Sequence, residues 1–145
     1  MKYLIGFISL FVFLTGCTSK PILNVNNEFI PTNINNEQPS FDAVEKAIIL
    51  AAKKRGWNSH VIQPGLIEAQ ISLRNYRATV QISYSRSTYS ISYKDSENLN
   101  YDDGEIHRNY NSWVGKLSRT IQKEMGLNSR NNEINNHVKT NHITN

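Results

Sequence analysis

Cysteine is nearly absent from this chain of 145 residues: Cys17 is the only one, so no disulfide can form within it. Apolar runs are also scarce. The longest, Tyr3 to Leu14, is too short to cross a hydrocarbon core of about 30 Å as a helix, which takes roughly 20 residues. A strong charge imbalance is missing as well, the formal net charge being +4. Nucleic-acid binders show clustered Lys and Arg in basic stripes, and none is present here. The one tight basic cluster, Lys53-Lys54-Arg55, sits where a helix is about to end, a position at which cations are favoured by a few tenths of a kcal/mol. Internal repeats, G-x-S-x-G and H-E-x-x-H are all absent, which removes the nucleophile elbow and the helix-borne zinc site.

What the N-terminus does contain is an address. Met1-Lys2 forms a short positive region ahead of the apolar run, and Leu14-Thr15-Gly16-Cys17 ends it. These four residues resemble the lipobox of bacterial lipoproteins. The small residues let an extended backbone enter a peptidase cleft, and the thiol is the nucleophile that accepts diacylglycerol. The expectation is a signal peptide over 1–16, lost by cleavage, and a lipid-bearing Cys17 at the mature N-terminus. Loss of Lys2 then lowers the formal charge from +4 to +3. Thr18 stands where enteric lipoproteins retained at the inner membrane carry Asp, so the resemblance favours the outer membrane, facing the periplasm. Similarity to mature lipoproteins implies three acyl chains, palmitate among them, and two anchors already suffice for stable attachment.

Residues 17–40 are rich in Asn, with Pro21, Pro31 and Pro39, and read as a tether in which Asn24 to Ile34 can add a short edge strand. Residues 127–145 are again Asn-rich and poor in large apolar side chains, which predicts a disordered tail. His137 and His142 in that tail have no acidic or cysteine companions, so no metal site and no cofactor is expected. One small domain, 41–126, remains.

Within it a helix is predicted from about Phe41 to Arg55. Ser40 or Asp42 caps it, Val44, Ala47, Ile48 and Ala51 keep helical spacing, and Gly56 supplies the stop. The period then changes to two. A short strand, Asn58 to Gln63, leads into a Pro64-Gly65 turn. Ile67, Ala69, Ile71 and Leu73 alternate with polar residues, then Tyr76, Ala78, Val80, Ile82 and Tyr84, then Tyr89, Ile91 and Tyr93. Such alternation with short turns makes an antiparallel meander with one wet face. A second helix is expected from near Glu105, with Asp102 and Glu105 as a capping box, an apolar stripe from Ile106 through Met125, and Gly126 as its end. The order α-β-β-β-β-α gives an α+β two-layer sandwich with both helices on the dry face, and Trp57 and Trp113 are expected to anchor the core between the layers.

Arg55-Gly56-Trp57, Pro64-Gly65-Leu66-Ile67, Tyr89 to Ser96, Asn98-Leu99-Asn100-Tyr101 and Ile106 to Val114 together resemble a family of small uncharacterised bacterial lipoproteins. The resemblance spans the second half of the tether and nearly the whole domain, and omits the C-terminal tail. It implies an envelope protein and supplies no catalytic residue.

Asp95, Asp102, Asp103, Glu105 and His107 are the residues best suited to catalysis. Asp95-Ser96-Glu97-Asn98-Leu99 starts like a calcium loop, but Leu99 replaces a ligand and no Gly follows. A His-carboxylate base needs a nucleophile or water within reach, and no nucleophile pattern accompanies this one. No catalytic residue is assigned and the chain is not expected to be an enzyme. His107, Arg108 and Asn111 are expected beside the apolar stripe, where they can hold the 95–104 loop against the sheet. Together with Lys94, Asp95, Arg74 and Arg77 they also make a candidate interaction patch. The wet face adds Gln70, Ser72, Thr79, Gln81, Ser83, Ser90 and Ser92. The expected function is non-catalytic contact with an envelope protein, with a cell-wall glycan or small ligand as the alternative occupant and no nucleic acid.

Overall fold

The computed structural model describes residues 18–33 and 35–141, with the backbone path alone over 127–141. The expected signal peptide and Cys17 lie outside these residues. Among the described residues, two helices and seven strands form the α+β architecture. β1 (Ser19–Pro21) and β2 (Val25–Phe29) precede α1 (Phe41–Lys54). β3 (Asn58–Gln63), β4 (Leu66–Leu73), β5 (Tyr76–Tyr84), β6 (Thr88–Glu97) and β7 (Glu105–His107) follow, and α2 (Arg108–Asn141) closes the chain.

The first helix forms as its sequence dictates. Ser40 Oγ accepts from the Ala43 amide at 3.1 Å, satisfying one of the free donors of the first turn. Val44, Ala47, Ile48, Ala51 and Ala52 bury its inner face. Gly56, at φ +77°, takes the left-handed conformation that ends it, and the Trp57 amide closes on the Ala52 carbonyl at 2.9 Å.

Five strands form one antiparallel sheet in the order β2-β6-β5-β4-β3. In the pairing of β4 with β5, Ile67 faces Ile82, Ala69 faces Val80 and Ile71 faces Ala78, so every second residue enters the core. The helices cover this face and touch each other. Tyr84 on β5 donates to Glu45 of α1, and the Tyr89 hydroxyl of β6 lies 2.8 Å from Ser118 Oγ of α2. Burial raises both phenols to a pKa of about 12, so each remains a neutral hydroxyl. The helices are also joined by Lys54 Nζ, 2.7 Å from the buried Glu124 carboxylate, and by Arg55 Nε, which donates to Thr120 Oγ1 at 2.6 Å. Two members of the basic cluster thus tie α1 to α2.

The structure corrects the sequence reading at four places. The edge strand expected within Asn24 to Ile34 forms as β2 on β6, but the rest of the expected tether is folded too: β1 pairs with β7, and Ile30 is fully buried. Its apolar side chains are few but find a sheet edge and a core to join. The second helix starts at Arg108, because Asp102 and Glu105 exchange backbone bonds of 3.0 and 2.8 Å across a tight turn rather than capping a helix. That helix passes through Gly126, whose φ is not positive, and its backbone stays helical to Asn141 where the composition predicts a disordered tail. Glycine inside a helix costs about 1 kcal/mol, which weakens it without ending it. Finally, Trp57 is buried at 3 % exposure but Trp113 is only partly covered, at the margin of the core.

Candidate functional site

The seven residues expected to share one patch divide between the open sheet face and the end of the domain where α2 begins. Arg77, Lys94 and Asp95 belong to the open face. Strict alternation from Tyr93 would turn Asp95 inward with the apolar residues. A bulge between the Thr79–Asp95 and Val80–Tyr93 pairs inserts Lys94, and both Lys94 and Asp95 come to the open side. Lys94 reaches diagonally over β5 to Glu68 of β4, and His60 of β3 approaches the other Glu68 oxygen at 3.8 Å. Arg77 pairs with Glu97, its register partner on β6. Glu68, only 18 % exposed, is therefore the centre of a row that crosses four strands, with Gln70, Ser72, Gln81, Ser83, Ser90 and Ser92 around it.

Beside the β5–β6 turn, Asn27, Gly65, Ser83, Ser85, Thr88 and Ser90 border a shallow cleft of about 210 Å3. The Asn27 amide donates to Ser90 Oγ at 2.9 Å. The chemistry of this cleft is that of hydroxyls and backbone groups.

The remaining four residues gather at the end of the sheet that carries the β4–β5 turn. The His107 ring stacks on Tyr76, with centroids 5.9 Å apart and planes 22° from parallel. Its backbone amide donates to the Leu99 carbonyl at 2.8 Å, which holds the 98–104 loop, and its Nδ1 accepts from the Asn109 amide at 3.2 Å. Asn111 takes a different role from the one expected. Its Oδ1 accepts from the Leu23 amide at 2.9 Å and its Nδ2 donates to the Pro21 carbonyl at 2.8 Å, so it fastens the N-terminal segment rather than the loop. Arg108 donates its backbone amide to the Thr18 carbonyl at 3.1 Å and leaves its side chain exposed. Arg74 sits in the two-residue turn at φ +57°.

This end also holds residues outside the expected patch. Tyr76, Asn109, Ser112, Trp113 and Lys116 join Leu73 and Arg74 around a cleft of about 330 Å3. Asn109, Ser112, Trp113 and Lys116 recur at i, i+3, i+4 and i+7, a stripe beside the apolar one, and that spacing is the signal the sequence carries for them. Nearby, Tyr101 stacks on Tyr93 at 4.4 Å, and Tyr93 meets the buried Tyr110 edge-on at 5.7 Å. Burial pushes the Tyr110 phenol above its ordinary range, and its hydroxyl is buried without a hydrogen-bond partner among the described residues.

Asp95 is on the open face, whereas Asp102, Asp103 and Glu105 lie in the turn before and the start of β7. Among the described residues, no three His, Cys, Asp or Glu side chains converge as a metal site. No protein family, curated protein or solved structure matches the chain.

Proposed function

We propose that this protein is a bacterial envelope lipoprotein, held to the membrane through acylated Cys17, whose domain binds another envelope component without catalysis. The feature that carries the reading is Leu14-Thr15-Gly16-Cys17, a lipobox-like end to the apolar run Tyr3 to Leu14. The Thr18 carbonyl accepts from the amide of Arg108, the first residue of α2, so the described fold is joined one residue after the cysteine. No helix among the described residues is long and apolar enough to cross a membrane, and attachment in this reading rests on the lipid. The resemblance to small lipoproteins agrees with it.

Binding, rather than chemistry, is favoured by the open face. Lys94 pairs with Glu68, which His60 also approaches, and Arg77 pairs with Glu97, across a broad surface of hydroxyls and amides. Such a face offers many directional contacts to a protein partner and fixes register through its charges.

Metabolic labelling with an alkyne fatty acid, compared between the wild-type chain and Cys17→Ser, tests the anchor. In-cell cross-linking followed by mass spectrometry tests the partner. One dominant cross-linked envelope protein is the expected result. Efficient capture of the chain alone, together with retention on purified cell wall, would replace the protein partner by a glycan.

A further inference from the structure

The cleft at the start of α2 differs in chemistry from the sheet face. Arg74 and Lys116 are exposed cations on its rim, and neither side chain has an ion pair among the described residues. Among the described residues no carboxylate lines it. Asn109 and Ser112 add neutral polar groups, Tyr76 and the partly covered Trp113 supply aromatic walls, and Leu73, 46 % exposed, forms an apolar lip. Two cations, hydrogen-bonding groups and amphipathic rings match the chemistry of a phosphate at a water–hydrocarbon boundary. Arg and Lys bury their stems and keep their charged heads at such a boundary, and Trp and Tyr are enriched there.

The position of Thr18 selects the source of that phosphate. Its carbonyl is bonded to Arg108, the first residue of α2, and Cys17 is one residue further. From Arg108 to Lys116 the helix rises only about 12 Å. A lipid on Cys17 therefore holds this end of the domain, and no other, against the bilayer. The folded N-terminal segment leaves no slack, since β1 is paired with β7 and Asn111 grips Pro21 and Leu23. Lys20 and Arg108, both exposed, add positive charge beside the same point, and the exposed Tyr101 lies on the loop held by His107. Asp102, Asp103 and Glu105 belong to the neighbouring turn and strand, outside the cleft.

We infer that this cleft seats the phosphate headgroup of an anionic phospholipid, fixing the domain in one orientation on the membrane that Cys17 anchors it to. The inference rests on the proposed lipid anchor. In it the acyl chains hold the protein at the surface, and the cleft determines which side faces outward.

The test uses the full mature chain carrying Cys17→Ser, so that no acyl chain contributes. It is sedimented with vesicles of pure phosphatidylcholine and with vesicles in which part of that lipid is replaced by phosphatidylglycerol. Binding to the mixed vesicles alone is expected, with a loss on the order of tenfold or more in Arg74→Glu/Lys116→Glu. Lys116→Arg is expected to bind as the unaltered chain does. Should the double reversal disturb folding, seen by circular dichroism, the neutral Arg74→Gln and Lys116→Gln carry the test. Equal sedimentation with both vesicle types, or an unchanged charge-reversed variant, would overturn the inference. So would binding of soluble glycerol phosphate without any vesicle binding, which would make the cleft a site for a free phosphate. Acyl labelling of the wild-type chain is read separately: its absence removes the anchor, whereas label without lipid preference removes only the headgroup seat.

Discussion

The two faces of the five-stranded sheet come from alternate residues of the same strands, yet they do different work. On the covered side Ile67, Ala69, Val80, Ile82 and Ile91 are fully buried beneath Val44, Ile48, Leu117 and Ile121 of the helices. On the other side Glu68, Gln81 and Ser92 lie in one row, and Arg77 and Glu97 in another. Apolar burial there is replaced by ion pairs between partly exposed groups, which are worth about 0–1 kcal/mol each. Stability is thus concentrated on one side, and the other is free to vary in charge and shape. A period of two lets one strand meet both demands, because adjacent residues never share a face unless a bulge intervenes.

The largest effect should follow from a cavity in the covered face. Ile82 belongs to the central strand, β5, and has no exposed surface. Ile82→Ala should cost about 2–5 kcal/mol, read as a lower midpoint in urea unfolding. A change below about 1 kcal/mol would show that the helices do not close on the sheet as described.

Alkaline pH should weaken the same face next. The Tyr89 phenol is raised from 10.0 to about 12 in the folded domain, chiefly by burial. Below pH 10 it is neutral in both states, and its stabilising contribution is complete. As pH rises through 10 toward about 12 the unfolded chain ionises first, so stability falls, by about 2 kcal/mol on the scale of 1.36 kcal/mol per pKa unit. Urea midpoints measured across this range should drop in the wild-type protein and drop less in Tyr89→Phe. A parallel decline in both would place the loss elsewhere.

This division of the sheet is largely legible in the amino-acid sequence. The alternations in β4, β5 and β6 assign core and surface directly, and Ser40 and Gly56 mark both ends of α1 by local chemistry. What could not be read depends on distant partners. Asp102-x-x-Glu105 fits a capping box and a tight turn equally well, and the choice is made by β1, which pairs Pro21 with Glu105. The bulge at Lys94 is likewise invisible in β6 alone, since register is a property of two strands. The candidate patch divides between two surfaces for the same reason. Arg77 and His107 are equivalent polar residues in one dimension, but Arg77 points to the open face while His107 stacks on Tyr76 at the sheet's end.

A smaller effect is expected where the helices meet each other. Glu124 is almost fully buried, while its partner Lys54 remains about half exposed. Removing the carboxylate leaves a lysine that water can still solvate, so the heavy penalty for an isolated buried charge does not arise. Glu124→Gln keeps the shape and should lower stability by about 1–2 kcal/mol in urea unfolding. Lys54→Met should be worse than Glu124→Gln, because it strands the buried carboxylate. The reverse order would mean that the glutamate is solvated in the folded protein.

The smallest stability effect, and the sharpest separation of the two faces, belongs to Arg77→Glu. Arg77 and Glu97 are both more than one-third exposed, and their pairing contributes at most about 1 kcal/mol. Reversal sets two carboxylates opposite each other on neighbouring strands, a repulsion that water and salt screen. The unfolding midpoint should therefore move by no more than about 1 kcal/mol, far less than for Ile82→Ala. Partner capture by in-cell cross-linking should nevertheless fall sharply, because a charge on a binding face discriminates between partners through repulsion as strongly as through attraction. Lys94→Glu, which sets a like charge against Glu68, should act in the same direction. Capture unchanged in both variants, with the fold intact, would leave the open face as solvated surface and move the contact to the end of the domain beside Thr18.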